Sequence, residues 1–225
     1  MSLQEKLSAF KAQFQSGRPP FDAVPPAAHE IMQRATDALV ASGAVQRVPR
    51  AGPAPGFELQ DANGATVRLA DLLAHGPVVL SFYRGVWCPY CNLDIQELEL
   101  NAGAIRAAGG TLVAITPQTP VNSRKSIAQH KLSYPILSDP GNAVAEKYGL
   151  RYRLPDTLID LYRKLGVDLS AFNGDSSWTL PIPARFVIDT AGEIRYAEAD
   201  PDYTRRPEPS ELLPVLEALR PRVGA

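Results

Sequence analysis

The chain has 225 residues, enough for one good-sized domain with appendages. Hydrophobic residues at 45% and charged residues at 21% suit a packed core, not a disordered chain. A net charge of −1 gives no electrostatic pull toward nucleic acid or an anionic membrane, and no apolar run approaches the ~20 residues needed to cross a bilayer.

Met1-Ser2-Leu3-Gln4-Glu5-Lys6 lacks the basic end and apolar stretch of a signal peptide, so a cytoplasmic location is expected. Leu3, Leu7, Phe10 and Phe14 fall on one face of a helix predicted over 3–16, which Ser16-Gly17-Arg18-Pro19-Pro20 ends. That stripe packs on its own domain in the first reading and forms a homodimer contact in the second. A second helix is predicted over Pro26–Ser42, stopped by Gly43. Residues 1–45 are thus a helical extension, 46–55 a Pro- and Gly-rich linker, and 56–225 the main domain.

Within that domain, Phe57–Leu59 and Thr66–Leu69 flank a turn at Asp61-Ala62-Asn63-Gly64 and predict a hairpin. Val78–Tyr83 and Thr111–Ile115 read as buried strands, with a helix over Pro89–Ala108 between them. A helix over Asn122–Lys131, a strand at Tyr134–Leu137 and a helix over Asn142–Tyr148 follow. Alternating strands and helices imply a central sheet with parallel crossovers. An insertion, 151–180, carries a helix at Asp156–Leu165. Arg185–Ile188 and Ile194–Ala199 form an antiparallel hairpin, and a last helix spans Ser210–Leu219.

The only two cysteines stand three apart in Cys88-Pro89-Tyr90-Cys91, directly after a strand and at the mouth of a helix. With Pro89 in the first turn, Cys88 is the N-cap, facing free backbone N–H groups and the positive end of the helix dipole. Both favour the thiolate, which is the reactive form. Cys91 lies one turn further in. Cys88 therefore attacks, and Cys91 resolves the intermediate into a disulfide. Three blander readings compete. A structural disulfide across so short a loop restrains little chain entropy. A zinc site needs two more ligands, and His29, His75 and His130 have no paired spacing. Inert buried thiols are the third. Neither a metal nor an organic cofactor is expected.

At these residues the chain resembles the peroxiredoxin-like branch of the thioredoxin superfamily, the alkyl hydroperoxide reductase/thiol-specific antioxidant group. The resemblance runs from Gly56 to Leu219 through PGFELQDANGATVRLADLL, VVLSFYRGVWCPYCN, GGTLVAIT, YPILSDPGNAVAEKYGL and LPIPARFVIDTAGEIRY. It implies an α/β thioredoxin-like fold: a central mixed sheet flanked by helices, here with the N-terminal helical extension. It also implies that Cys88 reduces a hydroperoxide to leave a sulfenic acid, Cys91 condenses with it, and a thioredoxin-, glutaredoxin- or glutathione-type thiol restores both. Typical members carry a proline and a threonine where this chain has Ser81 and Gly85, and an arginine where it has Pro183, the place where thioredoxins keep a cis-proline. Arg84 or Arg185 would supply the missing positive charge. Trp87 is expected to shape the substrate pocket or partner surface, or else to pack in the core. Tyr90 is expected to be exposed and to tune access to the cysteines, or else to serve in packing alone. Trp178 is assigned to the core ahead of a place in the same pocket, and Arg205-Arg206 beside Asp202-Tyr203 to an ion-paired surface loop ahead of a substrate clamp. Two other functions stay open: exchange with protein or glutathione disulfides, and a non-catalytic redox-sensing module.

Overall fold

The computed structural model describes residues 1–220, so the last five positions of the predicted main domain lie outside the described residues. The helices are α1 (Leu3–Gln15), α2 (Pro26–Ala41), α3 (Leu69–Leu73), α4 (Pro89–Ala107), α5 (Pro120–His130), α6 (Ala143–Lys147), α7 (Asp156–Lys164), α8 (Leu169–Asn173) and α9 (Leu212–Ala218). The strands are β1 (Gly52–Pro53), β2 (Glu58–Asp61), β3 (Thr66–Arg68), β4 (Val78–Phe82), β5 (Thr111–Thr116), β6 (Ile136–Ser138), β7 (Arg151–Arg153), β8 (Thr179–Pro181), β9 (Ala184–Ile188) and β10 (Glu193–Ala199).

Eight strands form one mixed sheet in the order β1-β10-β9-β4-β5-β6-β2-β3. The β4, β5 and β6 strands run parallel, and β9 runs antiparallel to β4. This is a thioredoxin-like α/β arrangement with helices on both faces. β4 is buried along its whole length because both faces are covered. Its period of two splits the side chains between two cores. Val78, Leu80 and Phe82 join a cluster with Phe57, Val113, Tyr148 and Phe186. Val79 and Tyr83 point the other way, into a cluster with Leu3, Leu7, Ile95, Leu98 and Leu216. On α4, Cys88, Cys91, Ile95, Leu98, Ala102 and Ile105 recur at steps of three and four, and all are buried in that second core.

The N-terminal stripe packs within its own chain. Leu3 and Leu7 are fully buried on the α4 side of the sheet, and Phe10 meets Tyr90 edge-on with ring centroids 5.0 Å apart. The first turn of α1 is capped twice: Ser2 and Glu5 form a capping box, and the Leu3 and Gln4 N–H groups donate to the Glu208 carboxylate at 3.1 and 3.0 Å. Inside the 46–55 stretch, β1 pairs with β10 at the sheet edge, where a strand proline leaves no missing ladder bond. The 151–180 insertion holds more order than its single predicted helix. It adds α8 and a two-stranded sheet of β7 and β8, around a third core of Leu154, Leu158, Tyr162, Trp178 and Leu180. Trp178 is thus a core residue, with the Arg163 guanidinium 4.9 Å above its ring.

Gly149 closes α6 with φ of +70°, and a Cβ there would lie 2.4 Å from the Arg47 carbonyl oxygen. Gly149→Ala therefore combines left-handed strain with a backbone clash, and is expected to cost about 2–3 kcal/mol in a denaturant titration. A loss below about 0.5 kcal/mol would show that the segment carrying Arg47 moves aside freely.

Candidate active site

β4 delivers the chain to the loop Tyr83–Trp87, and Cys88 follows as the N-cap of α4 with Pro89 in its first turn. Buried amides pin this loop. The Val86 N–H donates to Gln118 Oε1 at 2.8 Å, while Gln118 Nε2 donates to the Tyr83 hydroxyl at 2.9 Å. Asn92, one turn into α4, donates to the Val86 carbonyl at 2.8 Å. Gly85 has φ of +141°, and a Cβ on it would sit 2.7 Å from Trp87 Nε1. The indole fills the space that the threonine of typical peroxiredoxin-like chains would need, so Gly85 and Trp87 account for each other.

Both cysteines are free thiols and both are buried, Cys88 at 1% exposure and Cys91 at 0%. Arg84, Trp87 and Cys88 line one cavity of about 140 Å³, with Phe10, Tyr90 and Tyr203 also in its wall. Of the two readings of Tyr90 the structure favours packing over exposure: it is 5% accessible, because Phe10 of α1 and Tyr203 close over it. Pro183 and Arg185 do not line this cavity. Pro183 sits just before β9, at the sheet end where Ala184 pairs with Phe82, and the Ile182–Pro183 bond is trans. Arg185 faces away into the core, donating to the Pro207 carbonyl at 2.6 Å and to Asp94.

Arg206 is the residue that sequence reasoning misplaced. Of the Arg205–Arg206 pair, only Arg205 is a surface group, 4.0 Å from Asp200. Arg206 is buried, holds Asp94 Oδ2 at 3.3 Å and donates to Cys91 Sγ at 3.4 Å. The two arginines differ because the chain enters the core between them. No local signal marks this, since Arg206 and Cys91 are 115 residues apart. Asp94 and Gln118 were likewise missed. Asp94 lies one turn beyond Cys91 on the buried α4 stripe, so that spacing was its one available cue.

The electrostatics separate the two thiols. Burial alone would push Cys88 up. The Cys91 thiol, the charges of Arg84 and Arg206, and the Cys91 backbone N–H outweigh burial and bring Cys88 down to about 6. Cys91 is pushed well up by burial and then by the neighbouring Cys88, with Arg206 and Arg84 only partly opposing. The thiolate therefore rests on Cys88 and the proton on Cys91. Thiolate absorbance of the reduced protein is expected to titrate with a midpoint near 6, well below the ~8.5 of a free cysteine. Its reactivity is lost as pH falls through that midpoint. A midpoint above 8 would show that the guanidinium charges do not reach the sulfur.

A thioredoxin-like sheet with a dithiol at the first turn after its central parallel strand defines a thiol-based redox site. The chain belongs to the AhpC/TSA family, whose model matches residues 51–197. It is 32% identical over 112 residues to the thiol-disulfide oxidoreductase ResA of Halalkalibacterium halodurans, a match covering 49% of this chain and 62% of that protein. It is 28% identical over 177 residues to the chloroplastic peroxiredoxin Q of Oryza sativa subsp. japonica, covering 77% of this chain and 69% of that one. Its fold is similar to the peroxidoxin BcpB of Mycobacterium tuberculosis, with a TM-score of 0.61 at 24% identity over 77% of this chain and 99% of that chain. Among the described residues no cluster of side chains could hold a metal ion, and no helix is long and apolar enough to cross a membrane.

Proposed function

We propose that the protein is a thiol peroxidase working through Cys88 and Cys91. The observation that carries this reading is the placement of Cys88 at a helix start in a small cavity beside buried Arg84, with Arg206 on the sulfur of Cys91. The Cys88 thiolate attacks the outer oxygen of a hydroperoxide, the O–O bond breaks, and the departing alkoxide takes a proton. Cys88 is left as a sulfenic acid. Cys91 attacks that sulfur, its proton leaves with the hydroxyl as water, and the two are joined as a disulfide. A thioredoxin-, glutaredoxin- or glutathione-type thiol supplies the two electrons that restore the dithiol. We place this cycle in the cytoplasm, where such thiols keep cysteines reduced.

Exchange with protein disulfides is the second reading, supported by the Cys-Pro-Tyr-Cys spacing and by Gly85 in place of threonine. Burial weighs against it. A peroxide fits a cavity of about 140 Å³, whereas a protein disulfide, like the protein thiol that later reduces the oxidised pair, reaches sulfurs that are 1% and 0% exposed only once the cover over them opens. Stopped-flow mixing of reduced protein with hydrogen peroxide or an organic hydroperoxide decides between them. The expected result is oxidation of Cys88 at least about a hundredfold faster than a free thiol at the same pH. Oxidation at the free-thiol rate, with insulin disulfides reduced instead, would sink the peroxidase reading. If neither occurs, the pair is a sensor.

A further inference from the structure

Among the described residues three arginines are buried in the core, and Arg84 alone of them has no carboxylate partner there, since Arg185 and Arg206 share Asp94. Its Nη2 donates to the Tyr162 hydroxyl at 2.5 Å, and its Nε and Nη1 have no hydrogen-bond partner. The guanidinium lies 4.2 Å over the Tyr203 ring and 4.8 Å over Trp87. Aromatic faces attract the cation but accept none of its remaining hydrogen bonds, so a desolvated donor is left unmatched.

Arg84 also lines two cavities. One is the Cys88 cavity already described. The other, about 290 Å³, is walled by Leu39, Tyr152, Leu154, Leu158 and Tyr203 as well as Arg84. In that wall the Thr36 and Ser42 hydroxyls donate to carbonyls of α2, and Arg153 is held by Asp156. Arg84 is thus the wall's one cation without a carboxylate partner among the described residues.

We propose that this second cavity binds an apolar monocarboxylate, with its tail against Leu39, Leu154 and Leu158 and its carboxylate on Arg84. Apolar walls supply the affinity, and the charge-assisted bond to a buried cation supplies the selection for an acid over a neutral chain. The anion draws on the positive charge that also faces Cys88, so the occupied protein is oxidised more slowly. That consequence rests on Cys88 being the reacting sulfur; the binding does not.

Calorimetric titration of the reduced full-length protein with octanoate and with octan-1-ol tests the site. The acid is expected to bind at least about tenfold more tightly than the alcohol. The same preference is expected in Cys88→Ser, which separates this proposal from the peroxidase reading. Arg84→Met is expected to bind both alike. Equal binding of acid and alcohol by the wild-type protein, or no octanoate binding at millimolar concentration, overturns the proposal whatever the variant does. At saturating octanoate, oxidation of Cys88 by hydrogen peroxide is expected to slow severalfold. An unchanged rate at saturation overturns the coupling to Cys88.

Discussion

Cys88→Ser is expected to abolish peroxide consumption, a loss of roughly a thousandfold or more, because the group that accepts the oxygen is gone. Cys91→Ser is expected to behave differently. Its Cys88 still meets Arg84 and the helix N-terminus, and the introduced hydroxyl keeps a donor beside the sulfur. One equivalent of peroxide is then reduced at close to the wild-type rate, and the reaction stops at a sulfenic acid that dimedone traps and mass spectrometry counts. Turnover with a dithiol reductant falls by about a hundredfold or more, since no second thiol in the chain can close a disulfide. If Cys91→Ser turns over like the wild type with a protein reductant, Cys91 is not the resolving residue.

Asp94→Asn is expected to be the most destabilising single change near the site. Asp94 is 1% exposed and is the shared counter-ion of Arg185 and Arg206, each itself buried. The asparagine keeps the shape and removes the charge, leaving two guanidinium groups in the core without compensation. Losing one partner of a buried ion pair costs about 3–5 kcal/mol, which for a chain of this size lowers Tm by roughly 10 °C. Arg205→Gln, one residue from Arg206 but on the surface, is expected to change stability by less than about 0.5 kcal/mol. Thermal melts of the two variants side by side check both statements. Asp94→Asn has a second readout. With the carboxylate gone, the full charge of Arg206 acts on the sulfurs, so the Cys88 titration moves below its wild-type midpoint of about 6. A midpoint that stays put while the melt shifts would make Asp94 a purely structural residue.

The sheet was legible because its cues are local. β4 and β5 stand out as continuous apolar runs, and β9 and β10 as two strands about a short turn with Gly192. The α4 start was equally plain, since Pro89 and the apolar stripe behind it specify both the first turn and the buried face. The short pieces were not legible. β1 has two residues and exists only because the β10 edge is there to pair with. β7 and β8 pair across an insertion, and neither is long enough to show a period.

The sequence by itself determined the cysteine pair, its place at a helix start behind a buried strand, and the order of roles proposed for Cys88 and Cys91. Those follow from spacing and capping, which act over a few residues. Only the tertiary structure decided which charges reach the sulfurs. Arg84, Arg185 and Arg206 carry the same group, yet one lies in an aromatic box beside Cys88, one is neutralised by Asp94, and one bridges Asp94 to Cys91. Burial decided it too: α1 closes over Tyr90, so the dithiol lies under cover. Electrostatic strength in a protein depends on distance and on desolvation, and both are set by contacts between residues far apart in the chain.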